Sequence, residues 1–234
     1  MNDRDKRLFK TPLSGAYWLL AVKEFSSVRM LVIAAMLTAL RIAMKAIEIP
    51  IAPNLNITFG FLVNSVGSMI YGPVVAIIAS IVSDTLGAIL FSKGTYFFPF
   101  VFVEIAGGLV FALFYYRAKI TTLRIILGRF FVTLICNIIM NPIIMYYYYE
   151  LVLGKAYTLY TLPRIIKNLV LFPAESVVLI ILFNALLPVT NRMGLTFTGK
   201  TKLAFAKKDI VILIVMTAAS AAFIAGWLLY KKLG

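Results

Sequence analysis

The sequence contains no histidine, a single cysteine and only nine acidic residues among 234. Without histidine, the commonest general base and a usual zinc ligand are both missing. The cysteine, Cys136, cannot form an internal disulfide, and its apolar surroundings favour a small buried side chain over a reactive thiol. These absences argue against the usual protease and metalloenzyme sites.

Charge of either sign is also scarce. Charged residues make up 14% of the chain and apolar residues 62%, and mean hydropathy is +0.97. Soluble domains average about 25% charged and 45–50% apolar residues. This composition excludes a soluble globule and a disordered chain, so the lipid bilayer is the expected solvent.

Seven apolar stretches approach the ~20 residues that a membrane-spanning helix needs. They are residues 30–47, 57–71, 72–91, 96–116, 124–149, 164–190 and 210–230. Gly72 and Pro73 interrupt a longer apolar run and predict a tight turn between the second and third stretches. Residues 17–25 mix aromatic and charged side chains, which predicts a short helix in the headgroup region. The sequence therefore predicts an all-α, multi-pass membrane protein.

Lysine and arginine are concentrated in residues 1–29, 117–124 and 191–209, whereas the alternate loops and the C-terminus carry only Lys93, Lys155, Lys231 and Lys232. The positive-inside rule then predicts a cytoplasmic N-terminus, so the basic charge reflects topology and not nucleic-acid binding. We expect four parts: a cytoplasmic segment with an interfacial helix (1–29), a six-span substrate-binding bundle (30–190), a basic cytoplasmic loop (191–209) and an additional C-terminal transmembrane helix (210–234).

Gly194, Gly199, Lys200 and Thr201 match the phosphate-loop pattern G-x-x-x-x-G-K-[ST]. That motif works between a buried strand and a helix, but here it lies in a short basic loop between two spans. We interpret the match as fortuitous. The chain is then a non-enzymatic subunit, and any active transport needs a separate ATPase.

Polar side chains inside the spans carry most of the functional information, because in a bilayer they face a cavity or a partner. The deep charges are Asp84, Glu104, Arg129 and Glu175, and Arg41, Lys45 and Glu48 lie at the outer end of the first span with a structural or a ligand role. Asn137 and Asn141 share a helix face beside Pro142, which predicts a polar notch that either bonds another helix or binds a ligand.

Arg164, Lys167 and Asn168 lie on one face at the outer start of the sixth span. Two cations at a helix N-terminus oppose the helix dipole, so they indicate an anionic partner. Glu175 falls on the same face roughly 16 Å deeper. This stripe predicts a cavity with cations at its mouth and a carboxylate within.

Aromatic residues Tyr96, Phe97 and Phe98 precede Pro99 between the third and fourth spans. They form either an interfacial belt or a stacking surface for a planar heterocycle. Ala35 and Ala39 give the first span a small-residue face suited to close helix packing.

Residues 17–190 contain several short motifs that are informative in combination. They are Ile49–Gly60 with Phe61–Ser65, Tyr71-Gly72-Pro73, Ser83-Asp84, Tyr96–Pro99, Gly107-Gly108, Asn137 with Asn141, and Pro163-Arg164 with Lys167-Asn168. In this combination the chain resembles the substrate-binding S components of bacterial energy-coupling factor (ECF) vitamin transporters, and most of all the folate family.

The resemblance implies a six-helix bundle in the bacterial cell membrane that binds folate with high affinity at the outer side and uses no cofactor or metal. Its partners would be a transmembrane coupling subunit, docked at Ala35 and Ala39, and two cytoplasmic ATPases. The protein would bind facing outward and topple in the membrane to release the vitamin inward.

The resemblance also implies how the ligand is held. Glu104 or Glu175 would accept hydrogen bonds from the pterin edge, with Asn137 and Asn141 at other ring positions and an aromatic residue, Tyr96, Phe97 or Phe98, over the ring. Arg164 and Lys167 would hold the glutamate tail, and the loop carrying Asn54, Asn56 and Thr58 would close over the ligand.

Two features depart from the family pattern: the helix predicted at 210–230, and Glu104, where a less polar residue is expected. Three alternatives therefore stay open. The chain could be an S component for another vitamin or anionic heterocycle, a membrane scaffold subunit without a ligand, or an intramembrane enzyme, although the isolated acids and absent histidines argue against the last.

Overall fold

The computed structural model describes residues 7–52, 55–91, 95–198, 203, 207, 210–215 and 218. It is mostly helical. The helices are α1 (Gly15–Lys23), α2 (Val28–Met44), α3 (Gly60–Phe91), α4 (Phe100–Tyr115), α5 (Thr122–Val132), α6 (Asn141–Leu151) and α7 (Leu162–Arg192). A 3₁₀ turn, Glu24–Ser26, joins α1 to α2, and a π-helical segment, Thr133–Met140, joins α5 to α6.

Three helical stretches among the described residues are long and apolar enough to cross a bilayer: Gly60–Phe91, Thr122–Leu151 and Arg164–Arg192. The pair formed by Gly15–Ser26 and Val28–Met44 also meets that criterion jointly, with a bend of 86° between its members. Helix α4 is apolar but has only 16 residues. Length and composition thus agree with a multi-pass membrane protein.

Gly72 breaks the helical path of α3 at the predicted position. Its φ of 78° and ψ of −179° are non-helical and lie in a region that favours glycine. A Cβ atom there would lie 2.9 Å from the ring of Tyr116. Pro73, which follows, has no N–H to give to the preceding turn. Both the backbone conformation and the close packing therefore require glycine.

A small antiparallel hairpin, β1 (Glu48–Ala52) and β2 (Leu55–Thr58), precedes α3. Glu48 pairs with Thr58 and Ile49 with Ile57, and the register shifts between Pro50 and Ala52. The sequence predicts a loop before residue 57 and a span that begins at that residue, whereas the helix begins at Gly60. β-Branched residues favour the extended backbone, so the hairpin takes residues assigned to the span.

The end of the bundle opposite the hairpin contains a buried polar cluster. Glu24 Oε1 accepts hydrogen bonds from the Tyr116 hydroxyl at 2.8 Å and from Arg117 Nη2 at 3.3 Å. The hydroxyl of Tyr17 donates to the carbonyl of Ala112 at 3.0 Å. Glu24, Tyr116 and Arg117 are thus hydrogen-bonded to one another within the protein. The Tyr17 hydroxyl fixes α1 against the end of α4.

Helix α7 ends at Arg192, and Gly194, with φ of 65°, makes the turn that follows. Its N–H donates to Asn191 O at 3.0 Å, and Leu195 N–H donates to Thr190 O at 2.8 Å. Gly194 therefore terminates a helix, whereas a phosphate loop would begin one. Gly199, Lys200, Thr201 and most of the predicted span 210–230 lie outside the described residues.

Candidate functional site

A cavity of about 440 Å³ lies in the half of the bundle that the sequence predicts to face outward. The hairpin covers one side, and α2, α3, α4, α7 and the α5–α6 helix form the rest of the wall. Eight residues of the predicted site line it: Asn56, Thr58, Glu104, Asn137, Asn141, Arg164, Lys167 and Glu175. Asn54 is not among the residues that the structure describes.

The predicted aromatic residues lie beside the cavity and not among its lining residues. Tyr96 donates its hydroxyl to Asp84 Oδ2 at 3.3 Å, and the Phe97 ring lies 6.1 Å from that of Phe100. Phe98 is 59% exposed on the outer surface of the bundle. Phe100 lines the cavity in their place. The aromatic motif thus lies at the rim, and Phe100, which follows Pro99, contributes to the wall.

One wall carries a closed network of two cations and two carboxylates. Arg41 forms an ion pair with Glu104 Oε2 and donates from Nη1 to the Ser80 hydroxyl at 3.0 Å. Lys45 Nζ lies 3.1 Å from Glu104 Oε1 and 3.3 Å from Asp84 Oδ1. Both oxygens of Glu104 are therefore already paired with cations.

The opposite wall carries a second pair, which is arranged differently. Arg129 donates from both Nε, at 2.9 Å, and Nη2 to the same oxygen of Glu175, Oε2. The guanidinium carbon lies 4.5 Å from the centre of the Phe61 ring, a cation–π contact. Within the described part of the chain, Glu175 Oε1 has no hydrogen-bond partner. This oxygen is available to a ligand in the cavity.

The mouth of the cavity holds two cations that contact only neutral groups. Arg164, which is 7% exposed, donates to the Tyr157 hydroxyl at 2.6 Å, and Lys167 donates to the backbone carbonyl of Asn56. Burial raises the pKa of the Tyr157 phenol, so it stays neutral. No carboxylate among the described residues lies within 4.0 Å of either cation.

Three asparagines add polar atoms between the mouth and the deep end. Asn137 lies in the π-helical segment, and Asn141 begins α6. Neither side-chain amide makes a hydrogen bond to any residue that the structure describes, and both line the cavity. Asn64, which is 5% exposed, lines it from α3, and its Oδ1 accepts a hydrogen bond from the Ser68 hydroxyl at 3.4 Å. The amides of Asn137 and Asn141 thus present donors and acceptors that the described part of the protein leaves open.

Sequence reasoning missed part of this site. Arg129 was visible as a deep charge but had no assigned role, and Phe61 gave no signal beyond its position in a motif. Arg41 and Lys45 could be placed near the outer surface but not in the cavity wall. An intramembrane charge signals a partner, yet the sequence does not tell which partner it has.

Comparisons with known proteins agree with this architecture. The family model for "ECF transporter, substrate-specific component" matches residues 29–183. The folate transporter FolT of Clostridium novyi (strain NT) is 31% identical over 127 residues, which are 54% of this chain and 72% of the relative. FolT of Leuconostoc mesenteroides is 29% identical over 150 residues, with coverages of 63% and 80%. A crystal structure of FolT bound with folic acid matches with a TM-score of 0.58 and 28% identity, covering 65% of this chain and 91% of that chain.

Proposed function

The chain belongs to the family of substrate-specific components of ECF transporters, and on this basis we propose that it is the folate-binding subunit of such an importer. It binds the vitamin in the cavity described above and delivers it inward when coupled to a separate ATPase module. Relatives from two organisms named folate transporter, and the folate-bound structural neighbour, support folate as the ligand. We propose that it acts as a transport component and not as an enzyme.

The observation that carries this proposal is the positive charge at the mouth, which no carboxylate among the described residues contacts. Folate ends in a glutamate with two carboxylates. Arg164 and Lys167 are partly or fully withdrawn from water and contact no carboxylate in the described part of the protein. A buried cation without a counter-ion is unfavourable, so an anionic ligand group stabilises it. The glutamate tail therefore lies at this mouth.

The deep end suits the pterin ring. The edge of the pterin presents an amino group and a ring N–H, which need an acceptor. Of the two carboxylates predicted for this role, Glu104 has both oxygens occupied by Arg41 and Lys45, whereas Glu175 keeps Oε1 open. We therefore assign the pterin edge to Glu175. The amides of Asn137 and Asn141 serve the remaining ring positions, and Phe100 covers the ring.

The hairpin acts as the cover of the site. Thr58 and Asn56 line the cavity from β2, and Lys167 ties the Asn56 carbonyl to α7. Asn56 in turn donates its amide to Glu48 on β1. A ligand carboxylate that reaches Lys167 therefore contacts the same ammonium group that holds the hairpin. This arrangement keeps water away from the bound tail.

The remaining parts of the proposal concern the membrane and the partners. We place six spans in the substrate-binding bundle, with the N-terminus in the cytoplasm, and an additional span near the C-terminus. Ala35 and Ala39 are exposed on α2, where a coupling subunit can approach closely. Two cytoplasmic ATPases then supply the energy that this chain does not.

Titration of the detergent-purified chain with folate tests the proposal. Calorimetry and tryptophan fluorescence should show saturable binding of folate without added nucleotide, with riboflavin, thiamin and biotin as controls. Absence of folate binding by a folded preparation would overturn the assignment, and saturation by one of the control vitamins in its place would identify a different ligand class.

A further inference from the structure

We propose that Arg129 is a positioning residue that orients Glu175, so that the deep end of the cavity selects heterocycles with an amino group next to a ring N–H. The inference rests on the proposed function and assigns to Arg129, which lines the cavity, a role that it exerts through Glu175. The role follows from the geometry of the ion pair Arg129–Glu175 and from how it differs from the pair Arg41–Glu104 in the same cavity.

Arg129 donates two N–H groups to a single oxygen of Glu175. Nε and Nη2 of Arg129 both bond Glu175 Oε2, although an arginine fork can also bind the two oxygens of a carboxylate in parallel. The side chains are 5% and 13% exposed, so water contributes little to their orientation. The fork therefore fixes the carboxylate with Oε1 turned away from the arginine.

The aromatic ring of Phe61 fixes the orientation of Arg129 in turn. The Phe61 ring lies against the guanidinium, with 4.5 Å between the guanidinium carbon and the ring centre. Phe61 and Glu175 also line the cavity, which places the whole unit in its wall. A planar guanidinium that stacks on a ring and forks to a carboxylate has little rotational freedom, and a lysine cannot reproduce either contact.

The pair Arg41–Glu104 differs from Arg129–Glu175 in where the cations bind. It has the same chemistry, but Lys45 pairs with the second oxygen, so a ligand that bonds either oxygen of Glu104 shares that oxygen with a cation. A carboxylate in the wall thus does not by itself present an oxygen clear of the protein's own cations. The open oxygen of Glu175 depends on how Arg129 binds it.

The consequence is selectivity for hydrogen-bond donors. An ionised carboxylate oxygen only accepts, so it rejects a ring edge that presents acceptors or a bare C–H. Sites built to bond a donor discriminate strongly against analogues that lack it, because the site's polar group is then left unpaired. Arg129 controls this discrimination through its hold on Glu175.

The test compares folate with its 2-deamino analogue, in which hydrogen replaces the pterin amino group. For the wild type we expect the analogue to bind about 10- to 150-fold more weakly, the cost of one hydrogen bond to a charged group. In Arg129→Gln the ratio of the two dissociation constants should fall towards one. Arg129→Lys should lower it similarly, since the charge remains but the fork and the stack are lost, and Phe61→Leu should lower it in part.

Arg117→Gln is the matched control, because Arg117 also forms a buried pair with a glutamate, Glu24, at the far end of the bundle. It should lower thermal stability and leave the ratio of dissociation constants at the wild-type value. Size-exclusion chromatography checks folding, and if Arg129→Gln does not fold, Arg129→Lys and Phe61→Leu decide the question.

Two results would overturn the inference in distinguishable ways. A wild-type ratio that persists in folded Arg129→Gln or Arg129→Lys protein would show that Arg129 does not control recognition, while folate binding and the proposed function stand. A wild-type protein that binds neither compound would remove the proposed function, and the inference with it.

Discussion

Replacing Arg164 with glutamine should weaken folate binding while leaving the ligand-free protein about as stable as before. Arg164 is 7% exposed and bonds the Tyr157 hydroxyl at 2.6 Å. Loss of that hydrogen bond costs about 1 kcal/mol. Removal of a desolvated cation that lacks a counter-ion is favourable by a similar order. The two effects oppose each other, so the free energy of unfolding without folate should change by less than about 1 kcal/mol.

The ligand-bound protein should respond differently. A hydrogen bond between charged groups contributes about 1.5–3 kcal/mol, so the dissociation constant of folate should rise about 10- to 150-fold. At a folate concentration of about 100 times the wild-type dissociation constant, binding stabilises the wild type by about 2.7 kcal/mol. If the constant rises about 30-fold, the same concentration stabilises the variant by only about 0.9 kcal/mol.

Thermal unfolding with and without folate measures both effects, and calorimetry gives the dissociation constants directly. Lys155→Gln is the control, because Lys155 is an exposed cation of the preceding loop and does not line the cavity. The amide of pteroic acid, which lacks the glutamate and carries no carboxylate, should bind Arg164→Gln and wild type almost equally. An equal loss of affinity for this amide and for folate would refute the placement of the tail at Arg164.

Three further predictions concern other parts of the molecule. Gly72→Ala should lower the melting temperature, since an alanine at φ of 78° is strained by about 1 kcal/mol or more and its Cβ would lie 2.9 Å from Tyr116; an unchanged melting temperature would contradict the packing described. Glu24→Ala should destabilise the protein by about 3 kcal/mol, because it removes a carboxylate from a buried ion pair with Arg117, and folate affinity measured below the melting temperature should not change. Cys136, the single cysteine, is 3% exposed and lines the cavity, so a small thiol reagent should label it slowly in the free protein and more slowly still when folate is bound; a free-protein rate that folate does not change would place the ligand elsewhere.

Much of the fold follows from sequence because the bilayer restricts the possible structures. Apolar runs of spanning length, the Gly72–Pro73 break and the mouth cations each depend on local composition or spacing. The hairpin formed by β1 and β2 was not predicted, because two short strands in a proline-containing loop have no strong periodic signal. The family predicted from short motifs is confirmed by the family model over residues 29–183.

The site could be predicted only in part, for a different reason. The sequence leaves Glu104 and Glu175 as alternative acceptors for the pterin edge. What separates them is their tertiary neighbours: Arg41 of α2 and Lys45, which follows that helix, pair with the first, and Arg129 from α5 meets one oxygen of the second. Which oxygen of a carboxylate is left open depends on rotamers and helix packing, and no spacing rule encodes it.

The π-helical segment Thr133–Met140 has a consequence for how this site can be changed. In an α-helix each residue advances the chain by about 100°, and a π-helical turn holds more residues than an α-helical one. The segment therefore sets the angular offset between Arg129, before it, and Asn141, after it, both of which line the cavity. Exchanging one amino acid for another alters a side chain but keeps this offset. A deletion or an insertion within the segment changes the angular offset. Changes in chain length therefore align the two helix faces in ways that amino-acid exchanges do not.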